Sequence, residues 1–405
     1  MLPLLLGFVP LLTRPQAAPA VQERVVPASR SMQQPPAPQP PAAQTPSPPA
    51  AAPQGAFPWY AKDLDSAFKD AKAQQKLLFV LFDSASSPAA MRMANEVFAD
   101  SRVVDVLKDA ICVHVDVDKH RDLAIKYSVQ DPPVSAWFNS DGTPRDRING
   151  FKEANVFVSM TSRIHTDLGT INDLKRKIAA KGDDIDTRFE LYRRLKEFGD
   201  IAASSEQKAA IIKLDPQGNS RASHHFTYER ITGEIEQYWA QTGTLHMHKI
   251  EELQTFVEME SDVELVWDGW MRLANTHAYL ANQAASKGQF TEAKDHRVTR
   301  RKFIARSWRG VPQDVDYFRD WCLMNCELFW NERDELTPED KEFFTTMTSR
   351  MIAVYEKDPL AFDYRARAYL LGGQRPQAID AEEKAIELDP NNPDFKARLK
   401  QLRGD

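Results

Sequence analysis

Residues 77–151 carry an order of apolar runs and turns that few folds accommodate. Leu77-Leu78-Phe79-Val80-Leu81-Phe82 is an unbroken apolar run, the pattern of a short strand buried on both faces of a sheet. A turn-rich stretch from Asp83 to Pro88 separates it from a helical stretch containing Met91, Met93, Ala94, Val97 and Phe98. A second apolar run, Ile111-Cys112-Val113-His114-Val115, ends in the acidic turn Asp116-Val117-Asp118. Tyr127-Ser128-Val129 then leads through Gln130-Asp131-Pro132 to Pro133-Val134-Ser135-Ala136-Trp137-Phe138, and the segment closes at Asp141-Gly142 and Gly150.

This succession resembles the thioredoxin family over about a quarter of the chain. The family pattern runs from a strand through a Trp-Cys-x-x-Cys turn to a helix that ends near a Val-Phe pair. A buried strand with an acidic end follows, then Tyr-x-Val before a cis-proline and an Asp-Gly hairpin. Counting back eight positions from Phe98 sets the family's two cysteine positions at Ala90 and Ser87, so the turn reads Ser87-Pro88-Ala89-Ala90. Thiol–disulfide exchange needs one thiolate to attack and a second thiol to resolve the mixed disulfide. A serine hydroxyl and an alanine methyl supply neither. Cys112 lies inside an apolar run and reads as a small core hydrophobe. The resemblance therefore implies an α/β thioredoxin-like domain, a central mixed sheet with flanking helices, that keeps the fold and has lost the redox activity. It also implies that Pro133 is cis, beside the turn, where neighbouring backbone can bond an extended peptide. Pro133 and Val134 are the candidate peptide-binding residues, with fold maintenance alone as the other reading of that proline.

From about residue 170 helical periodicity replaces the strand signals. The clearest unit is C-terminal: Ala361, Tyr364, Ala368, Tyr369 and Leu370 on one helix, a turn at Gly372-Gly373, then Ala378, Ile379, Ala385, Ile386 and Leu388, stopped by Asp389-Pro390. It resembles a tetratricopeptide repeat, which sets small residues where two helices cross and a proline after the second. Tyr369, Ala378, Ala385 and Pro390 match; Arg365-Ala366 and Glu382 depart from the repeat's Leu-Gly pair and large helix-B residue. Weaker echoes run from Phe189 to Leu214-Asp215-Pro216 and from Leu273 to Ala293, with bends at Gly199 and Gly288. Helix pairs of this kind bury their apolar faces only against neighbours, so residues 170–405 read as one degenerate all-α helical-repeat domain.

The chain has 405 residues, room for two or three domains, and a net charge of −6. Leu2 to Leu12 is an apolar run too short to span a bilayer, and Ala18-Pro19-Ala20 follows as a small-x-small cleavage site. Residues 1–20 therefore read as a signal peptide that directs the protein to a secreted or periplasmic location, although no Lys or Arg precedes the apolar run. Residues 21–57, with Pro35-Pro36, Pro40-Pro41 and Pro48-Pro49, form a proline-rich linker that cannot build a core. No later segment reads as an integral membrane span. The basic group Arg297, Arg300-Arg301-Lys302 and Arg306 reads as a solvated helix face, not a nucleic-acid footprint.

Cys322 and Cys326 form the only cysteine pair, and four residues apart on a helix they have poor disulfide geometry. They read as helix packing, with a relocated redox pair or metal ligation as alternatives. His224-His225 and His246-Met247-His248 lack a completing ligand at a recognisable spacing and read as solvated or hairpin-capping side chains, so no metal site and no cofactor is expected. The domains are thus 58–168, thioredoxin-like, and 170–405, tetratricopeptide-like. Together they suggest a non-catalytic exported protein that binds protein or peptide partners. The alternative is a thiol–disulfide oxidoreductase using Cys322 and Cys326.

Overall fold

The computed structural model describes residues 57–311 and 315–404, so the segment read as a signal peptide and nearly all of that read as a linker lie outside the described residues. The described chain falls into two compact units that divide between Leu214 and Asp215.

Four strands build the first unit's sheet: β1 Leu78–Asp83, β2 Ile111–Asp116, β3 Val134–Phe138 and β4 Pro144–Asn149, in the order β2-β1-β3-β4. β1 runs parallel to β2, with Leu78 opposite Ile111, and antiparallel to β3, which pairs antiparallel with β4. The two apolar runs are thus neighbours, as their pattern predicts. Alternation sends β1 side chains to opposite faces. Leu78, Val80 and Phe82 enter a core with helix α1 (Leu64–Gln74), while Phe79 and Leu81 face Trp137. That second face is closed by short helix α2 (Pro88–Arg92) with its π-turn Met93–Val97, by α3 (Ser101–Leu107) and, beyond α4 (Arg121–Lys126), by α5 (Ala154–His165). Phe57, read as the linker's last residue, is buried and meets Trp59 and Phe98 at ring distances of 4.5 and 5.2 Å. Its apolar ring belongs to the core, so the ordered domain starts before residue 58.

The helices α6 (Ile171–Ala180), α7 (Ile185–Glu197) and α8 (Ile201–Leu214) lie in the first unit. Ile171, Leu174, Leu191, Leu195 and Phe198 belong to the core of the sheet face that α1 covers. The physical reason lies on β4, an edge strand whose open side must be covered or it becomes a template for another chain. Asp146 is fully buried there, ion-paired with Arg163 of α5 at 2.6 Å and with Arg194 of α7. Next to it, buried Arg147 donates to the carbonyls of Tyr127 (2.9 Å), Ser128 (3.0 Å) and Glu197. Gly199 follows at φ +75°, and a Cβ there would lie 2.3 Å from Ser128 Oγ. Sheet edge, pre-proline loop and helix pair are therefore one packed body.

Among its described residues the second unit is helical. It comprises α9 (Arg221–Thr242), α10 (Met247–Met259), α11 (Val263–Ser286), α12 (Phe290–Ser307), α13 (Val315–Asn331), α14 (Pro338–Val354), α15 (Pro359–Leu371), α16 (Arg375–Leu388) and α17 (Pro393–Arg403). Successive helices pack on each other, α11 against α12 and α15 against α16. Ala361 and Ala368 on α15 and Ala378 and Ala385 on α16 are buried, and Ala366 of α15 packs with Ala378 and Ala381 of α16. The basic group on α12 is a solvated face only in part: Lys302 and Arg306 are exposed and Arg301 is not. Arg301 is fully buried, held by Asp340 (2.9 Å) and Glu332, while Arg297 pairs with Glu335 and Arg306 with Glu258. Glu382 is likewise fully buried, with Asp363 as its electrostatic neighbour; Asp363 in turn holds Arg367 at 2.7 Å and Arg398. Burial and the Asp363 charge push the Glu382 carboxyl up to about 8.

Two measurements check these assignments. Asp146→Ala leaves two guanidiniums at the sheet edge without their carboxylate, a loss of about 3–5 kcal/mol in chemical unfolding of the full chain. A loss below about 1 kcal/mol would show that the triad is not the tie. For Glu382 the folded pKa lies above the ordinary value of 4.5, so its contribution is fully present below pH 4.5 and lost as pH rises to about 8. The second unit's melting temperature should fall over that window, and Glu382→Gln should flatten the dependence.

Candidate functional site

The turn after β1 holds the expected site. Ser87 is the N-cap of α2, and its Oγ accepts a hydrogen bond from Ala90 N at 3.3 Å. The same hydroxyl donates to the carbonyl of Pro132 at 3.1 Å. The Pro132–Pro133 peptide is cis, as the resemblance implies. The turn and the proline loop thus meet, but through Ser87, where the hydroxyl is held by a helix cap and a carbonyl. Ala90 is buried and presents only a methyl group; Pro88 is exposed, as is Met91 at 51%.

Pro133 and Val134 are brought to this place and are both buried. Neither proline has an N–H. The Pro132 carbonyl accepts from Ser87 and the Pro133 carbonyl accepts from Gly150 N at 2.9 Å. Val134 lies in β3 between Phe82 of β1 and Asn149 of β4, so its backbone is inside the sheet. The dipeptide offers an approaching strand no donor.

Two further polar groupings flank the turn. Ser84, buried just past β1, donates to Asp118 at 2.6 Å and lies 2.7 Å from Ser86 Oγ. Asp83 binds His114 Nε2 at 2.7 Å, and that bond, ahead of the neighbouring negative charges, raises the imidazole's pKa. The sequence reading did not single out either pair. The signal was available in the parallel register, since Asp83 opposite Asp116 puts the two following loops side by side. Among the described residues no hydrogen bond joins His114 to Ser84, Ser86 or Ser87, so no hydroxyl here has an imidazole base.

The three thiols are free and buried. Burial pushes Cys112 and Cys322 up to about 12 and raises Cys326 as well. Cys112 Sγ lies 3.7 Å from the Leu107 carbonyl, as fits a packed core thiol. Cys322 and Cys326 lie inside the second unit, with Cys326 Sγ 3.6 Å from Met351 Sδ.

The histidine pairs differ from expectation at one position. His225 is buried, not solvated, and its Nε2 lies 3.1 Å from Asp262, the N-cap of α11. His225, Asp262 and Glu264 bring their ligand atoms within 4.8 Å of one another. Arg221 already enters that cluster, 2.6 Å from Asp262 and 3.2 Å from Glu264. A guanidinium supplies the positive charge that the two carboxylates require, so the set fits an ion-pair hub. His224 lies 3.0 Å from Glu260, and His248 is exposed.

The profile of a thioredoxin-like domain family matches residues 64–164. The first unit contains a thioredoxin-like domain. The chain is 24% identical over 152 residues to a probable protein disulfide-isomerase A6 of Medicago sativa, covering 37% of this chain and 40% of that protein. It is 29% identical over 102 residues to the thiol:disulfide interchange protein DsbD of Pseudomonas fluorescens, covering 24% of this chain and 18% of that protein. The chain thus spans less than half the length of these curated relatives. Among solved structures, the TPR domain of P58(IPK) aligns at 14% identity and a TM-score of 0.22 over 76% of this chain and 68% of that one. Among the described residues no helix is long and apolar enough to cross a membrane.

The thiol environment has a direct readout. A chromogenic disulfide reagent should find no reactive thiol in the native protein at pH 7 and three in denaturant, the full count of free cysteines. Fast reaction of even one thiol in the native state would contradict the burial of all three.

Proposed function

We propose that this is an exported, non-catalytic interaction protein, in which a redox-inactive thioredoxin-like domain and a tetratricopeptide-like helical region hold protein or peptide partners. One observation carries the reading. At the attacking position of the turn stands the Ser87 hydroxyl, bonded to Ala90 N and the Pro132 carbonyl, and at the resolving position stands the buried Ala90. The relatives' names describe isomerisation and interchange of disulfides, chemistry that needs two thiols and therefore fails at this turn. The relocated pair offers no substitute, because Cys322 and Cys326 are both fully buried.

Contact with a partner falls to side chains around the turn, Pro88 and Met91 foremost, more than to the sheltered backbone of Pro133 and Val134. Export rests on the apolar run Leu2–Leu12 and the small residues Ala18-Pro19-Ala20.

Insulin reduction tests the reading. The purified protein should not exceed the uncatalysed rate, and Ser87→Cys/Ala90→Cys should gain measurable turnover, since a thiol at a helix N-terminus has a lowered pKa. Turnover by the unaltered protein that disappears in Cys322→Ser/Cys326→Ser would replace the interaction reading with a relocated redox pair. A folded but inert Ser87→Cys/Ala90→Cys variant would mean that the turn is not a retained site.

A further inference from the structure

The buried sulfurs of the second unit have a chemistry that the interaction reading leaves unused. Cys322 and Cys326 stand one turn apart on α13, where positions four apart share a face with about 5–6 Å between Cβ atoms. Met351 of α14 brings its thioether Sδ to 3.6 Å from Cys326 Sγ. All three side chains are fully buried. Two sulfurs bound to one metal at about 2.3 Å with a tetrahedral angle lie about 3.8 Å apart. The existing contact between Cys326 and Met351 is within a few tenths of an ångström of that spacing.

The donor set selects its ion. Two thiols and a thioether are soft, and thiolate and thioether ligands favour Cu(I) over the harder divalent cations. The nearby amide of Asn325 is committed to the Trp321 carbonyl at 2.7 Å. The charges around the site are balanced: Arg367 lies 2.7 Å from Asp363 and 3.6 Å from Glu327, and Arg398 pairs with Asp363 as well. Two thiolates and one Cu(I) carry one net negative charge.

We propose that Cys322, Cys326 and Met351 form a three-sulfur site for Cu(I). On binding, the two thiols give up their protons to solvent, two Cu–thiolate bonds and one Cu–thioether bond form, and no electron changes hands. Because the sulfurs are fully buried, the ion enters as the α13–α14 packing opens, and uptake is slow compared with surface binding.

The test uses the full chain under anaerobic, reducing conditions, with Cu(I) supplied as its acetonitrile complex against a chromophoric Cu(I) chelator. The protein should withdraw one Cu(I) per chain and release about two protons per ion, as binding to protonated thiols requires. X-ray absorption should show sulfur ligands alone, at about 2.3 Å. Cys322→Ala/Cys326→Ala should abolish the uptake, and the near-isosteric Met351→Leu should weaken it by at least roughly tenfold with an unchanged circular dichroism spectrum. Should the double variant fail to fold, Met351→Leu and the absorption spectrum decide alone. Absence of Cu(I) uptake, uptake undiminished in the folded variants, nitrogen or oxygen ligands, or tighter binding of Zn(II) than of Cu(I) would each overturn the site.

Discussion

The buried carboxylate of Asp146 holds the first unit together. It sits on the edge strand, where the open hydrogen-bonding side of a sheet is a liability, and it draws Arg163 from one helix and Arg194 from another onto that edge. Burying a carboxylate is costly unless it is paired, so departure of the helix bearing Arg194 would leave Asp146 with Arg163 alone. Arg147, one residue along, ties the loop before the cis peptide to the end of the same helix. The thioredoxin-like sheet is therefore closed by helices that lie beyond the residues matched by the family profile.

That closure bears on the site. The loop carrying Pro132 and Pro133 is braced from behind by Arg147 and from the front by Ser87, whose hydroxyl bridges the helix cap and the loop carbonyl. A thiol at the same position could ionise and attack; the hydroxyl instead joins two structural elements. At this turn the Ser87 hydroxyl acts as a brace, and what the turn leaves exposed is an apolar edge at Pro88 and Met91.

In the second unit the same rule governs the buried charges. Arg301 survives full burial because Asp340 and Glu332 meet it and the Glu335 carbonyl accepts from its Nη2. Glu382, at a position where the repeat has a large apolar residue, survives by keeping its proton beside Asp363. Its departure from the repeat pattern is thus accommodated by protonation.

Much was legible in the sequence because it depends on local pattern. The continuous apolar runs at Leu77–Phe82 and Ile111–Val115 have the pattern of buried strands, and the structure makes them neighbours. Alanines at helical spacing near Ala378 and Ala385 fix a close helix crossing. The boundary at Leu214 was not legible, since Ile171, Leu174, Leu191 and Leu195 have the same amphipathic spacing whether they face a sheet or another helix. Nor was the burial of Arg301 and His225, because a charged or polar residue is exposed by default until a partner from a distant element reaches it. Sequence determined which segments become strands and helices, and that the turn after the first strand carries Ser87 and Ala90. Tertiary structure alone decided which helices belong to the sheet and which charges are buried, because those outcomes depend on partners far apart in the chain.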